Sequence, residues 1–232
     1  MSGARCKYAV WVPLVVLAVG TLLAFVTRID LSFDGRFYDA AAHGWPVGDT
    51  LPFHLAYQYG QIVGWVPGVL AAILLIGAIF AVRLRRYTRA CTFWILLSLI
   101  GPGLLVNAVL KDNWGRPRPR QTQEFGGKYA YQHPWVMGEA VDGRKSFPSG
   151  HAAMGFLFLA PYFIYRARNR RAALAWLWGG VAFGLFIGLA RMAQGAHWPS
   201  DVLWSFGVVY FTAYALARFL HLDRMEKNEQ PT

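Results

Sequence analysis

Three short segments of this chain hold residue types that could bind a phosphate and attack it. The first is Lys111-Asp-Asn-Trp-Gly-Arg-Pro-Arg118-Pro119. The second is Ser146-Phe-Pro-Ser149-Gly150-His151, and the third is Arg191-Met-Ala-Gln-Gly-Ala-His197-Trp-Pro-Ser-Asp201. Lys111, Arg118 and Arg191 are fixed cations: arginine offers a planar fork that matches phosphate oxygens, lysine a compact point charge. Ser149 can cap a helix whose free N–H groups and positive dipole end form an anion site. Gly150 would let a ligand approach the backbone closely, and His151 would stand there as a proton donor or acceptor. His197 and Asp201 are four residues apart, one turn if the stretch is helical. A carboxylate behind an imidazole fixes its tautomer and raises its nucleophilicity.

Each segment alone has a plainer reading. The first could be an interfacial anchor with basic side chains reaching for headgroups. The second could be an ordinary capped helix, and the third a helix start at which Asp201 serves the dipole. For no chemistry to be present, all three plain readings would have to hold on one face at one depth. Lys, Arg and His at the edge of a membrane span are costly and usually mark a site.

The elements that must position these residues are apolar. Of 232 residues, 56% are hydrophobic and 15% charged, against roughly 25% charged in a soluble domain. Long apolar runs reach the ~20 residues needed to cross a bilayer. The spacing predicts an all-α, polytopic membrane protein with six spans near 8–26, 62–82, 90–110, 149–165, 172–190 and 201–220. Residues 1–26 read as the first span rather than a signal peptide, since the apolar run is long and no small-x-small site follows it.

Arginine and lysine in the short loops place both termini and the loops after spans two and four on the cytoplasmic side. The first loop, with Asp30, Asp34, Asp39 and Asp49, falls outside. So do residues 111–147, although they carry Lys111, Arg116, Arg118, Arg120, Lys128, Arg144 and Lys145. Phosphate binding would account for that excess. All three motifs land on this outer face.

A formal charge of +11 raises nucleic-acid binding, but the arginines sit in short loops between spans, where topology signals belong. No nucleic-acid partner is expected. Cys6 and Cys91 have no metal-site spacing, and Asp112 and Asp201 are too few for a two-metal phosphatase. Neither a metal nor a cofactor is expected, and oligomeric state is not legible. Residues 33–61 read as a structural segment along the membrane surface with a short amphipathic helix. Tyr129, Tyr131, His133 and Trp135 read either as an aromatic belt or as a lid over a headgroup, and the tail 223–232 as frayed.

With these motifs the chain resembles the type 2 phosphatidic acid phosphatases, the PAP2 family. The family pattern is Lys, six residues, Arg-Pro; then Pro-Ser-Gly-His; then Ser-Arg, five residues, His, three residues, Asp. Lys111, Arg118 and Pro119, Pro148 to His151, and Arg191, His197 and Asp201 match it. Ala190 stands where the family has serine. The resemblance implies one domain over 1–232, with its motif core at 111–201 and outer loops at 27–61 and 111–147. It implies a metal-independent phosphomonoesterase in which His197 forms a phosphohistidine, Asp201 orients His197, and His151 serves the leaving oxygen and then water. Lys111, Arg118, Arg191, Ser149 and Gly150 would hold the phosphoryl oxygens. The stretches 112–120, 124–127 and 191–197 are similar to the bacterial lipid A phosphatase branch, which implies a lipid phosphate substrate in a Gram-negative inner membrane with the site facing the periplasm. Undecaprenyl pyrophosphate, phosphatidylglycerophosphate and phosphatidic acid are the alternative substrates. A phosphotransferase and a non-hydrolytic lipid transporter are the alternative functions.

Overall fold

A computed structural model describes residues 3–139 and 143–224. Of the expected tail, residues 225–232 lie outside the described residues, as do the side chains of Arg5, Cys6, Lys7 and Arg224, while Asp223 is held by Arg166 rather than frayed. Among the described residues there are helices and no strands. Helix α1 is Gly3–Val26 and α2 is Ile29–Asp34; α3 is Phe53–Phe80 and α4 is Thr88–Ser98. A π-helical stretch, Leu99–Lys111, continues α4 and passes into α5, Asp112–Trp114. The remaining helices are α6 (Gly150–Phe156), α7 (Ala160–Tyr165), α8 (Arg170–Ala193) and α9 (Pro199–Phe219). Five helical segments are long and apolar enough to cross a membrane; α6 and α7 together form a shorter apolar helix, Gly150–Tyr165.

The second span differs from its expected position. It begins at Phe53, so residues 53–61 belong to α3 rather than to a segment lying along the surface. The polar residues His54, Gln58 and Gln61 make its first turns look like loop in the sequence. Those turns carry two residues of the site. Cys91 is buried and unpaired with any other cysteine.

The core lies among α4, the π-helical stretch, α6, α7 and α9, with Phe93, Leu97, Val106, Phe156, Phe163 and Val209 buried. On α1 and α3 large apolar side chains face outward, such as Trp11 at 58% exposure and Ile73 at 60%. Hydrocarbon tolerates that surface, whereas water would not. Helices α6 and α8 approach closely: a Cβ on Gly184 would fall 2.1 Å from the Phe156 ring, so only glycine fits there.

Two local features aim the site. Gly101-Pro102-Gly103 interrupts the regular ladder, because proline supplies no N–H and crowds the preceding turn. The wider π turns run through this point, and the Asn107 side-chain amide donates to the Pro102 carbonyl at 2.7 Å. Lys111 ends this stretch. Gly115, at φ 67°, then turns the chain out of the helix in a left-handed conformation that glycine adopts without strain.

Candidate active site

The starts of α6 and α9 meet at the site. Ser149 caps α6, its Oγ accepting from the Ala152 N–H at 3.4 Å. The Ser205 hydroxyl lies 2.8 Å from both the Ser149 and the Asp201 carbonyls, tying the two helix starts together. Asp201 is buried in the first turn of α9. It accepts from the Trp198 N–H at 3.0 Å, from the Ser146 hydroxyl at 2.5 Å and from Arg116 Nη1 at 2.5 Å.

His197 sits just before α9 and is buried. Its Nδ1 lies 2.7 Å from the Ser146 carbonyl oxygen. A carbonyl oxygen only accepts, so Nδ1 carries the proton and Nε2 of the neutral ring keeps its lone pair. Asp201 Oδ2 is farther from Nδ1, at 3.6 Å. The carboxylate therefore acts largely at one remove: it holds the Ser146 hydroxyl, and the Ser146 carbonyl holds the imidazole. Burial pushes the His197 ring down to about 4, against the upward pull of Asp201 and with added downward push from Lys111 and Arg191. The ring is thus neutral near pH 7, the form a nucleophile needs.

Lys111, Arg118 and Arg191 gather around this ring, each within reach of the others' charge. None pairs with a carboxylate among the described residues. Buried Nε atoms of Arg118 and Arg191 have no hydrogen-bond partner. Arg191 donates through Nη1 to Gln194 and lies over the Tyr57 ring, 4.5 Å from its centroid. A Cβ on Gly150 would fall 2.8 Å from Asn107 Oδ1 and 3.3 Å from Lys111 Nζ, so α6 begins against the lysine. Three mutually repelling cations without counter-ions favour a multiply charged anion among them. His151 also faces this group. All eight residues expected from the sequence converge here.

Five further residues were not singled out by sequence reasoning. Arg116 is fully buried and was counted among cations available for phosphate, but it is committed internally. It donates to Asp30 at 2.8 Å, to Ser200 at 2.8 Å and to the Gln132 carbonyl at 2.9 Å, besides Asp201. Asp30, counted only as an outer-loop acid, is buried and also accepts from the Ser200 N–H at 3.0 Å, the Ser200 hydroxyl at 2.5 Å and Tyr131 at 3.1 Å. The available signal was the pairing of an acidic loop with a basic one. Asp34 lies buried beside this network with neither carboxyl oxygen hydrogen-bonded. Burial, Asp30 and Asp201 push its carboxyl well above the usual carboxylate range. Tyr131 and His133 are engaged within the fold, His133 through the Ala24 carbonyl at 3.2 Å, while Trp135 is exposed.

Tyr57 and Gln61 complete the set from α3. The Tyr57 ring stacks on His151 at 5.6 Å, and the Gln61 amide lies 3.4 Å from His151 Nδ1. As a general acid His151 must be the imidazolium, which gives up its Nε2 proton while its Nδ1–H donates to the Gln61 amide oxygen, and after that transfer the neutral ring can accept a proton from water. Replacing Gln61 by leucine is expected to lower kcat about tenfold with little change in KM, read from initial rates. An unchanged kcat would remove Gln61 from the account.

Comparison with known proteins follows the same line. The PAP2 superfamily matches residues 91–224, which hold all three motifs. The chain belongs to the PAP2 superfamily. As a PAP2 protein it is a phosphoric monoester hydrolase, and the unpaired cations around a neutral histidine are the chemistry that such a hydrolase requires. A lipid A 4′-phosphatase of Francisella tularensis subsp. novicida is 32% identical over 84% of this chain and 87% of its own length. A lipid A 4′-phosphatase of Rhizobium etli is 39% identical over 78% of this chain and 67% of its own. The undecaprenyl-diphosphatase BcrC of Bacillus subtilis is 31% identical over 53% of this chain and 54% of its own. No solved structure matches the chain.

Proposed function

We propose that the protein is a lipid A 4′-phosphatase that works through a phosphohistidine on His197 at the periplasmic face of a bacterial inner membrane. The observation that carries the reaction is the His197 ring, neutral and held through Nδ1, beside three cations without carboxylate partners. Two relatives named for lipid A 4′-phosphate, one of them aligned over 84% of the chain, support the substrate. The proposed topology has six spans, with Gly150–Tyr165 as the fourth and both termini in the cytoplasm. One domain then comprises the whole chain. Positive charge in the alternate loops supports this orientation.

In the proposed sequence Lys111, Arg118, Arg191, Ser149 and the Gly150 N–H hold the phosphoryl oxygens. Nε2 of His197 attacks phosphorus as the bond to the sugar oxygen breaks, and His151 gives that oxygen its proton. Water then attacks the phosphorus, His151 takes a proton from it, the P–N bond breaks and inorganic phosphate leaves. Asp201 and the Ser146 carbonyl stabilise the charge that His197 acquires on attack. Phosphoryl transfer depends mainly on alignment and charge stabilisation, which this residue set supplies.

The test is a substrate panel in detergent with EDTA present: lipid A, undecaprenyl pyrophosphate, phosphatidylglycerophosphate and phosphatidic acid, with products read by mass spectrometry. Loss of the 4′-phosphate from lipid A, with the highest kcat/KM of the set and no dependence on metal, is expected. Preference for another lipid would replace the substrate. Activity abolished by EDTA would replace the mechanism.

A further inference from the structure

An apolar cavity leads away from the catalytic residues, its near end lined by Met192, Pro199 and Val202 beside the site. Helices α1 and α8 both pack on α9 and leave between them a groove of about 710 Å³. Its walls are apolar, with Val12 on α1, Leu177 on α8 and Phe206 on α9, and its outer rim is open, Val12 being 56% exposed and Leu174 39%. An apolar recess of this kind holds water poorly, and within a bilayer its natural occupant is hydrocarbon. The groove follows α8 from Arg170 to Met192, roughly 33 Å of helix. That exceeds half the ~30 Å hydrocarbon thickness of a bilayer, so it suits an extended acyl chain.

The two ends of the groove differ in charge. Arg166 and Arg170 line the end farthest from the site, roughly 30 Å along α8 from Arg191. Arg166 is bonded to Asp223 through Nε at 2.9 Å and Nη2 at 3.0 Å, while its Nη1 has no hydrogen-bond partner. Arg170 is exposed and has no acidic partner among the described residues. Arg168, Arg171 and Arg218 add positive charge at this end, and Asp223 is its one carboxylate among the described residues. An apolar channel that ends at two arginines matches a lipid with an acyl chain and an anionic phosphate headgroup.

We propose that this groove is a second lipid site, which binds an anionic glycerophospholipid of the leaflet opposite the active site, its acyl chain along α8 and its headgroup phosphodiester at Arg166 and Arg170. The bound lipid is not a substrate, since it offers no phosphomonoester and its headgroup sits at the end of the groove farthest from His197. It fills the gap between α1 and α8.

The probe is phosphatidylglycerol, with phosphatidylcholine as the neutral comparison, titrated into detergent-solubilised protein and read by native mass spectrometry. One phosphatidylglycerol is expected to be retained in preference to phosphatidylcholine. Arg170→Glu is expected to weaken that retention by about tenfold and to leave phosphate release unchanged. Because Arg170 begins α8, where an acid suits the helix dipole, this variant keeps the fold. Val12→Trp, which fills the groove, is expected to reduce retention of both lipids. His197→Ala is expected to alter neither. Equal retention of the two lipids, or retention indifferent to Arg170→Glu and Val12→Trp, would overturn the proposal. Retention lost in His197→Ala would overturn it as well, by assigning the bound lipid to the catalytic pocket. Phosphate release is followed in the same samples and tests the catalytic reading separately.

Discussion

Replacing His197 by alanine is expected to abolish phosphate release, lowering kcat by at least about 10³-fold while the protein stays folded. The effect is large because the ring is the attacking group, and no other neutral imidazole is held in its place. The same reading fixes the pH dependence of the native enzyme. Burial lowers the His197 pKa to about 4, so the folded state favours the neutral ring. The lone pair on Nε2 is available near pH 7 and is lost as pH falls toward 4, and kcat/KM should fall over that range rather than near the ordinary histidine value of about 6.5. Stability changes in the same direction. Between about 6.5 and 4 the unfolded chain takes up a proton at this residue that the folded one refuses, so stability is lost as pH drops. A kcat/KM profile and melting temperatures across pH 4–8 check both.

The second large effect is structural. Arg116→Ala is expected to destabilise the protein by about 3–5 kcal/mol, seen as a marked fall in melting temperature in detergent. Arg116 joins Asp30 and Asp201, all three being fully buried. Its removal leaves two carboxylates facing each other in a dry interior, and the cost is dominated by that uncompensated charge rather than by lost attraction. Arg116→Lys should retain part of the stability, because one ammonium neutralises charge but cannot span both carboxylates as the guanidinium fork does. Activity should fall with stability, since Asp201 positions Ser146 and Ser146 positions His197. A native melting temperature in Arg116→Ala would remove the network from the account.

Arg116 also shows where the sequence stops being informative. Lys111, Arg118, Ser149, Gly150, His151, Arg191, His197 and Asp201 were legible because their types and short spacings are local signals, and the structure brings them together. The helical character and most spans were legible from apolar length alone. Asp30 and Arg116 lie 86 residues apart, and nothing in either one's neighbourhood marks it as the partner of the other. Both therefore read as loop charges, one as a topology signal and one as a spare cation. Tyr57 and Gln61 were hidden for another reason. The polar first turns of α3 lower its hydropathy, so the helix seemed to begin later and its two site residues fell in an apparent loop. The role of the Ser146 carbonyl is a backbone contact and has no sequence signature.

Ala190 is buried in α8 beside Arg191. No hydroxyl is present there, and Arg191 is held by Gln194 and by the Tyr57 ring.

The most direct test of the central claim is to trap the intermediate. Enzyme mixed with lipid A labelled in its 4′-phosphate is quenched under alkaline conditions, where a phosphorus–nitrogen bond survives, and the peptides are mapped by mass spectrometry. The account predicts label on His197, attached at Nε2, lost on acid treatment and absent in His197→Ala. Turnover with no label on the protein, or label on any other residue, would contradict it.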